Sequence, residues 1–510
     1  MTSVSRSRNV ADRPFSGDRN RPDAAKTPDP ARITLPQRVR HLISDTDTPI
    51  SLFLSVAGQG EAFLLESAEV DGRWGRHSVL GCDFALTLAC RGGRLALDIR
   101  DPRLKSLADC ADMPFADGVR AVMRRLELAP EADLPPITRA LYGYFGYETA
   151  ALFNPKLAAA RPDMPDQAEA CLVLPGTLLI FDHLYHSLRQ ISLGEHRDFS
   201  SPAARSAPCA PAPSDTDAAR PPQPAPITAH TGHEAYLQRV TRVREMLRQG
   251  EAVQVVPSTR FSAPFSGDAF ALYRCMRRAN ASPYMFFMRL PEITLFGSSP
   301  EVMVRCEQGR LLLSPIAGTR RRGRDDAEDA GLAAELRQDP KEQAEHVMLV
   351  DLGRNDLGRI ARPGSVRVER LMEVERFSHV MHLTSRITAR LAEGLDALDV
   401  LAATFPAGTV SGAPKIRAME IIAEEERLPR GPYAGCIGWL GLDDDSVSLD
   451  TGITIRSMWV RDGTLNWQAG GGLVFDSDPE AEWKECCNKA AIMRAVFENA
   501  TGESHVPARR

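Results

Sequence analysis

The segment Asp339-Pro-Lys-Glu-Gln-Ala-Glu-His-Val-Met-Leu-Val-Asp-Leu-Gly-Arg-Asn-Asp356 reads as one helix with a defined start. Asp339 can cap it, and Pro340 suits its first position. Glu342 and Glu345 are three residues apart, and Leu349 and Leu352 continue the same face, so two carboxylates stand at the head of an apolar stripe. A capping box between Asp339 and Glu342, with Glu345 in solvent, accounts for this pattern without any function. A second helix, opened by Asp478-Pro479, repeats the arrangement. Its Glu482, Glu485 and Lys489 fall at i, i+3 and i+7, shortly after Gly470-Gly471-Gly472. If the two helices meet, their carboxylates can serve a hard divalent cation. Mg²⁺ suits such a site because it takes one or two protein carboxylates and keeps water or an anionic substrate group as its other ligands. The spacing permits the meeting and does not require it.

The rest of the chain bounds what such a site can serve. Its 510 residues allow two sizeable domains, and 43% hydrophobic with 25% charged residues is ordinary globular composition. A net charge of −5 argues against nucleic-acid binding, and the basic run Arg320, Arg321, Arg322 and Arg324 reads as a solvated or anion-facing loop. No apolar stretch has the length of a membrane span. Ten cysteines without metal-like pairing fit reduced thiols in a cytoplasmic enzyme.

Residues 1–31 read as a disordered extension and 501–510 as a tail. Residues 32–198 read as a compact mixed domain, with strands at Ser51–Val56, Ala62–Leu65, Leu172–Leu174 and Thr177–Phe181. The Pro- and Ala-rich stretch 199–231 reads as a linker or insertion. Residues 232–500 form the second domain. It opens with a helix whose Tyr236, Val240, Val243 and Leu247 share one face. Strands then follow at Val253–Phe261, Tyr284–Met288, Ile293–Ser298, Val302–Cys306 and Leu311–Ile316, and helices near 326–337, 340–352, 396–404 and 414–426. Strands at Ala434–Leu442, Ser448–Val460 and Leu465–Ala469 precede the last helix. Strands at both ends with helices between them predict an α+β fold of large antiparallel sheets flanked by helices.

Ordered blocks now point to one family: Gln254-Val-Val-Pro-Ser258, Ser282-Pro-Tyr-Met285, Gly297-Ser-Ser-Pro-Glu301, Pro315-Ile-Ala-Gly-Thr-Arg320, Glu342 to Asp356, Gly408-Thr-Val-Ser-Gly-Ala-Pro-Lys415 and Gln468 to Lys489. Together they resemble the chorismate-utilising enzymes, above all the large-subunit (component I) anthranilate synthase group. The resemblance covers residues 234–499 and, more loosely, 35–195. It implies an α/β sandwich whose active site lies in the C-terminal part.

By resemblance, Glu345 and Glu485 are Mg²⁺ ligands with Glu342 and Glu482 beside them, the metal bridging to the ring carboxylate of chorismate. Arg456, Tyr433, Gly470 and Gly472 match positions that bind the substrate, and Lys489 one near the metal. Gly318 and Thr319 match positions lining the ring. Glu301 resembles the general acid that protonates the leaving 4-hydroxyl, a role that needs a raised pKa. Gln254 stands where water-adding members carry a lysine, which argues for amination. Ala317 stands where aminodeoxychorismate synthases commonly carry a nucleophilic lysine. His382 matches a histidine linked to pyruvate elimination.

The resemblance further implies a reaction of chorismate and ammonia giving anthranilate and pyruvate through 2-amino-2-deoxyisochorismate, with tryptophan as feedback inhibitor. Leu64-Leu-Glu-Ser67, completed by Pro283, Tyr284 and Met285, resembles the tryptophan motif; the bland alternative is a buried strand and a domain contact. Cys436 lacks the surroundings of a glutaminase nucleophile, so ammonia should come from a separate glutamine amidotransferase subunit in a hetero-oligomer. The alternatives are an aminodeoxychorismate or aminodeoxyisochorismate synthase, or a non-catalytic subunit that binds chorismate or tryptophan.

Overall fold

The computed structural model describes residues 32–43, 46–67, 75–130, 134–160, 167–194, 199, 223, 225–377, 380–443 and 446–501. The expected N-terminal extension, the C-terminal tail beyond residue 501 and most of the expected linker lie outside the described residues.

Described strands from both halves of the chain join one hydrogen-bonded sheet system, antiparallel except where Ile33–Leu42 runs parallel to Leu126–Pro130. Two pairings knit the halves together: Ala62–Glu66 with Tyr284–Leu290, and Ala140–Phe145 with Cys436–Gly441. Phe63, Phe287, Tyr142 and Leu440, from both sides of these seams, are each at most 1% exposed, so one apolar core runs through them. This is the mixed α+β architecture with large antiparallel sheets that the element order predicted.

Helices pack over the sheet through apolar stripes. His233–Arg248 buries Tyr236, Val240, Val243 and Leu247, each worth about 2 kcal/mol as an upper estimate. Pro340–Gly358 lies against the strands Ile316–Arg321 and Val380–Arg390, and Pro479–Thr501 against Thr464–Gly470. Those placements bring the heads of the two carboxylate-bearing helices toward one end of the sheet.

Four local expectations are corrected. Ser51–Val56 lies in a helix, Pro49–Val56, because Thr48 and Ser51 form a reciprocal capping box around Pro49 at the first turn. The two short strands at 172–181 are one strand, Ala170–Asp182, and Pro175 sits opposite Phe84 where the neighbouring strand bulges; a bulge is where a strand tolerates proline. The runs at 253–261, 311–316 and 448–460 each break in two. In the last, Arg456 adopts φ +48° between Leu449–Ile453 and Ser457–Arg461. Finally, the arginine run is not free for an anion. Arg321 and Arg324 pair with Glu328, Arg322 with Asp329, and Arg320 with Glu335, Asp339 and Glu342.

Candidate active site

Asp339 caps its helix through the amides of Lys341 and Glu342. Glu342 does not close the box in return: Arg320 Nη1 donates to its Oε1 at 3.2 Å. One turn on, Glu345 Oε1 accepts from Gln254 Nε2 at 3.1 Å. On the second helix Ser477 Oγ donates to Glu482 Oε1 at 2.7 Å, while Glu482 Oε2 is buried with no hydrogen-bond partner. Lys489 Nζ lies 2.7 Å from Glu485 Oε1 and donates to the Gly470 carbonyl at 3.2 Å.

The carboxylates sense one another across the gap. Burial is the main cause that raises the pKa of Glu345, and Glu342 and Glu485 raise it further while Gln254 and Lys489 oppose them. Glu482 is likewise raised by burial and then by Glu485, against the pull of Ser477 and Lys489. The glycine run makes room for this approach. A Cβ on Gly471 would come 3.1 Å from Glu482 Oε2, and one on Gly472 would come 2.4 Å from Gln254 Nε2.

Glu301 is buried, 7% exposed, in a small cavity it shares with Leu349, Leu352 and Asp356. Burial pushes its pKa up to about 7; Thr409, which lines the same small cavity, and the charges of Arg456 and Lys489 work the other way. Arg456 is itself largely buried, which lowers its pKa, and Glu301 is the charge that offsets this. The left-handed backbone at Arg456 is a conformation that non-glycine residues hold at a cost of about 1–3 kcal/mol, typically where a functional site demands it.

His382 lies 3.0 Å from Thr319 Oγ1 and 3.2 Å from the Gly318 carbonyl, in both cases through Nδ1. A carbonyl only accepts, so Nδ1 carries the proton of the neutral ring and Nε2 keeps the lone pair. Burial lowers the His382 pKa, the Gly318 bond opposes this, and Arg456 adds to the lowering. Tyr433 is buried beneath Arg430, whose guanidinium carbon is 5.7 Å from its ring centre, and its pKa is raised by burial.

Shared electrostatic partners tie Glu301, Arg456, His382, Lys489, Glu345 and Glu482 together, while Tyr433 has its own set around Arg430. Arg456 acts on both Glu301 and His382, Lys489 on Glu301, Glu345 and Glu482, and Gln254 bridges Glu345 to Gly472. Thr409 and Ser477 were missed. Thr409 lay inside a matched block, but nothing in the sequence places it in one cavity with Glu301.

Ser67, Pro283, Tyr284 and Met285 lie apart from this constellation, together lining a cavity of about 680 Å³ at the seam between the two halves. Tyr284 Oη donates to Asp450 Oδ1 at 2.7 Å there.

Comparison with known proteins agrees with the geometry. Residues 93–495 match the family described as chorismate binding enzyme. Anthranilate synthase component 1 of Acinetobacter calcoaceticus is 38% identical over 491 residues, covering 91% of this chain and 95% of the relative. The Thermus thermophilus component 1 is 40% identical, covering 89% and 96%. The crystal structure of anthranilate synthase component I from Streptococcus pneumoniae aligns with a TM-score of 0.66 at 31% identity, covering 89% of this chain and 99% of that one. The menaquinone-specific isochorismate synthase of Escherichia coli shares the fold at 21% identity, covering 92% and 96%, with a TM-score of 0.66. The chain belongs to the chorismate binding enzyme family, in the group of anthranilate synthase component 1 proteins.

Proposed function

We infer that this chain is the chorismate-converting large subunit of anthranilate synthase, turning chorismate and ammonia into anthranilate and pyruvate. The observation that carries the reading is the combination of a buried Glu301, with its pKa pushed up to about 7, and a Gln254 that is bonded to Glu345. Glu301 can stay protonated at neutral pH and give its proton to the departing 4-hydroxyl. Gln254 offers no base to activate water, and ammonia needs none.

The carboxylate cluster fits Mg²⁺. Glu482 Oε2 is a buried oxygen without a partner, and Glu345 and Glu482 each have a raised pKa to which a neighbouring carboxylate contributes, a repulsion that a cation relieves. Among the described residues no group of three or more His, Cys, Asp or Glu side chains gathers as a self-contained metal cage. Mg²⁺ takes few protein ligands and completes its shell with substrate and water. Glu345 and Glu485 would hold it, with Glu342 and Glu482 adjacent. When bound, the ion supplies charge stabilisation to the substrate's ring carboxylate.

The protein's own groups do the rest. Arg456 has no ion pair among the described residues, and its planar fork suits the enolpyruvyl carboxylate, with Tyr433, Gly470 and Gly472 beside it. Gly318 and Thr319 line the ring. After amination, His382 Nε2 takes the proton whose loss drives pyruvate elimination and aromatisation.

Cys436 is buried in a strand and its pKa is pushed up by burial, so it is no glutaminase nucleophile. Ammonia then comes from a separate glutamine amidotransferase subunit in a hetero-oligomer. The described cysteines are free thiols, as a cytoplasmic setting favours, and among the described residues no helix is long and apolar enough to cross a membrane. The cavity at the seam binds tryptophan as feedback inhibitor, and a ligand bridging Ser67 to Pro283, Tyr284 and Met285 can bias how the halves sit. We read residues 32–198 as the regulatory unit and 232–500 as the catalytic one.

The test is product identification with chorismate, Mg²⁺ and an ammonium salt. Anthranilate is the expected product. Isochorismate, or an aminated chorismate that keeps its pyruvyl arm, would contradict the reading.

A further inference from the structure

The loop from Phe405 to Pro414 carries two groups that face the site. Thr409 lines one small cavity with Glu301, and Gly412–Ala413 pairs with Val255 and Gln254, the latter bonded to Glu345. Such a loop holds its geometry only if something closes it. Lys415 Nζ donates to the Thr404 carbonyl at 2.7 Å, across the loop's base. The same ammonium donates at 2.8 Å to Asp356 Oδ2, late in the helix whose first turns bear Glu342 and Glu345. Both side chains are about nine-tenths buried, at 10% and 11% exposure. A further contact seats the loop on that helix: a Cβ on Gly408 would come 2.0 Å from Leu352 Cδ2.

We propose that Lys415 is a positioning residue, a clasp that closes this loop on itself and fastens it to the carboxylate-bearing helix, so that Thr409 and Gln254 keep their placement against Glu301 and Glu345. A buried ion pair is weak evidence for stability, since apolar side chains of similar volume often serve as well. What an apolar pair cannot do is hold two acceptors on two elements from one point, as an ammonium with three donors does. The proposal rests on the reading of Glu301 as the proton donor.

The test separates positioning from stability. Lys415→Met alone strands the Asp356 charge and is expected to destabilise the fold. Lys415→Met combined with Asp356→Leu leaves no unpaired charge, so its unfolding midpoint should return close to that of the wild type. Its kcat with ammonia should nevertheless stay down by ~10-fold or more, with KM for chorismate within ~3-fold, because small misplacements of reacting groups cost about that much or more. Thr409 works against the rise in the Glu301 pKa, so a freed loop should move the alkaline limb of the kcat profile to higher pH. Thr409→Val should move it the same way.

Lys415→Gln with Asp356→Asn keeps a neutral hydrogen-bonded pair with a shorter donor, and it is the second variant should the apolar pair fail to fold. Its limb should also shift upward. A folded double variant with the kcat and alkaline limb of the wild type would overturn the clasp and leave the functional reading intact. A wild-type chain that makes no anthranilate would overturn both.

Discussion

Replacing Glu301 with glutamine should stabilise the fold and silence the enzyme, and the gain in stability should depend on pH. The Glu301 pKa rises from the ordinary 4.5 to about 7 because burial disfavours its charged form. In the unfolded chain the group ionises through pH ~4.5, in the fold only through pH ~7, so the wild type loses stability as pH rises across that window. At ~1.4 kcal/mol per pH unit, the loss is about 3 kcal/mol by pH 8 and below ~1 kcal/mol at pH 5. Glutamine never ionises and escapes it. Urea unfolding of Glu301→Gln against wild type should therefore show a stability difference about 2–2.5 kcal/mol more favourable to the variant at pH 8 than at pH 5. Other titrating groups are common to both proteins and drop out of the comparison. Turnover should fall by ~10²–10⁴-fold, the usual worth of a positioned general acid. A difference independent of pH, or a variant less stable at pH 8 than at pH 5 relative to wild type, would refute the assignment of a buried, protonated carboxyl.

Four further outcomes follow from the geometry. At constant free ammonia, kcat should fall above pH ~7 as Glu301 ionises and fall on the acid side below the ordinary histidine value as His382, whose pKa burial lowers, becomes protonated; a stopped assay across pH reads both limbs. His382→Asn should keep amination and slow elimination by ~10²-fold or more, so chromatography should detect an aminated, pyruvyl-bearing intermediate. Gly318→Ala should lower stability by about 1–3 kcal/mol, because Gly318 has φ +60° and an added Cβ would come 2.8 Å from Leu336 Cδ1 and 2.9 Å from Glu342 Oε2; thermal unfolding measures this. Ser67→Trp should abolish inhibition by tryptophan while sparing activity, and unchanged inhibition in a dose–response assay would remove the seam cavity from consideration.

What the sequence disclosed follows from the range of each interaction. Glu342 with Glu345, and Glu482 with Glu485, were legible because helical periodicity is local and a proline marks each start. That Glu345 on one helix lies within electrostatic reach of Glu485 on the other is a matter of how two distant helices pack on one sheet, and periodicity carries no such information. The helix at Pro49–Val56 was misread because Ser-Leu-Phe-Leu-Ser-Val has strand-like composition, while the Thr48–Ser51 capping box decided the outcome. Arg321, Arg322 and Arg324 read as a solvated or anion-facing run because their partners, Glu328 and Asp329, lie on the helix that follows. Thr409 lining one cavity with Glu301, and Lys415 reaching both Thr404 and Asp356, join segments whose meeting no local pattern encodes.

The most direct measurement supplies the purified chain with chorismate, Mg²⁺ and ¹⁵N-ammonium, without any partner, and follows products by mass spectrometry. Anthranilate carrying one ¹⁵N and an equal amount of pyruvate are the expected products. Labelled aminated chorismate without pyruvate, or chorismate left unreacted by a folded chain, would contradict the proposed function.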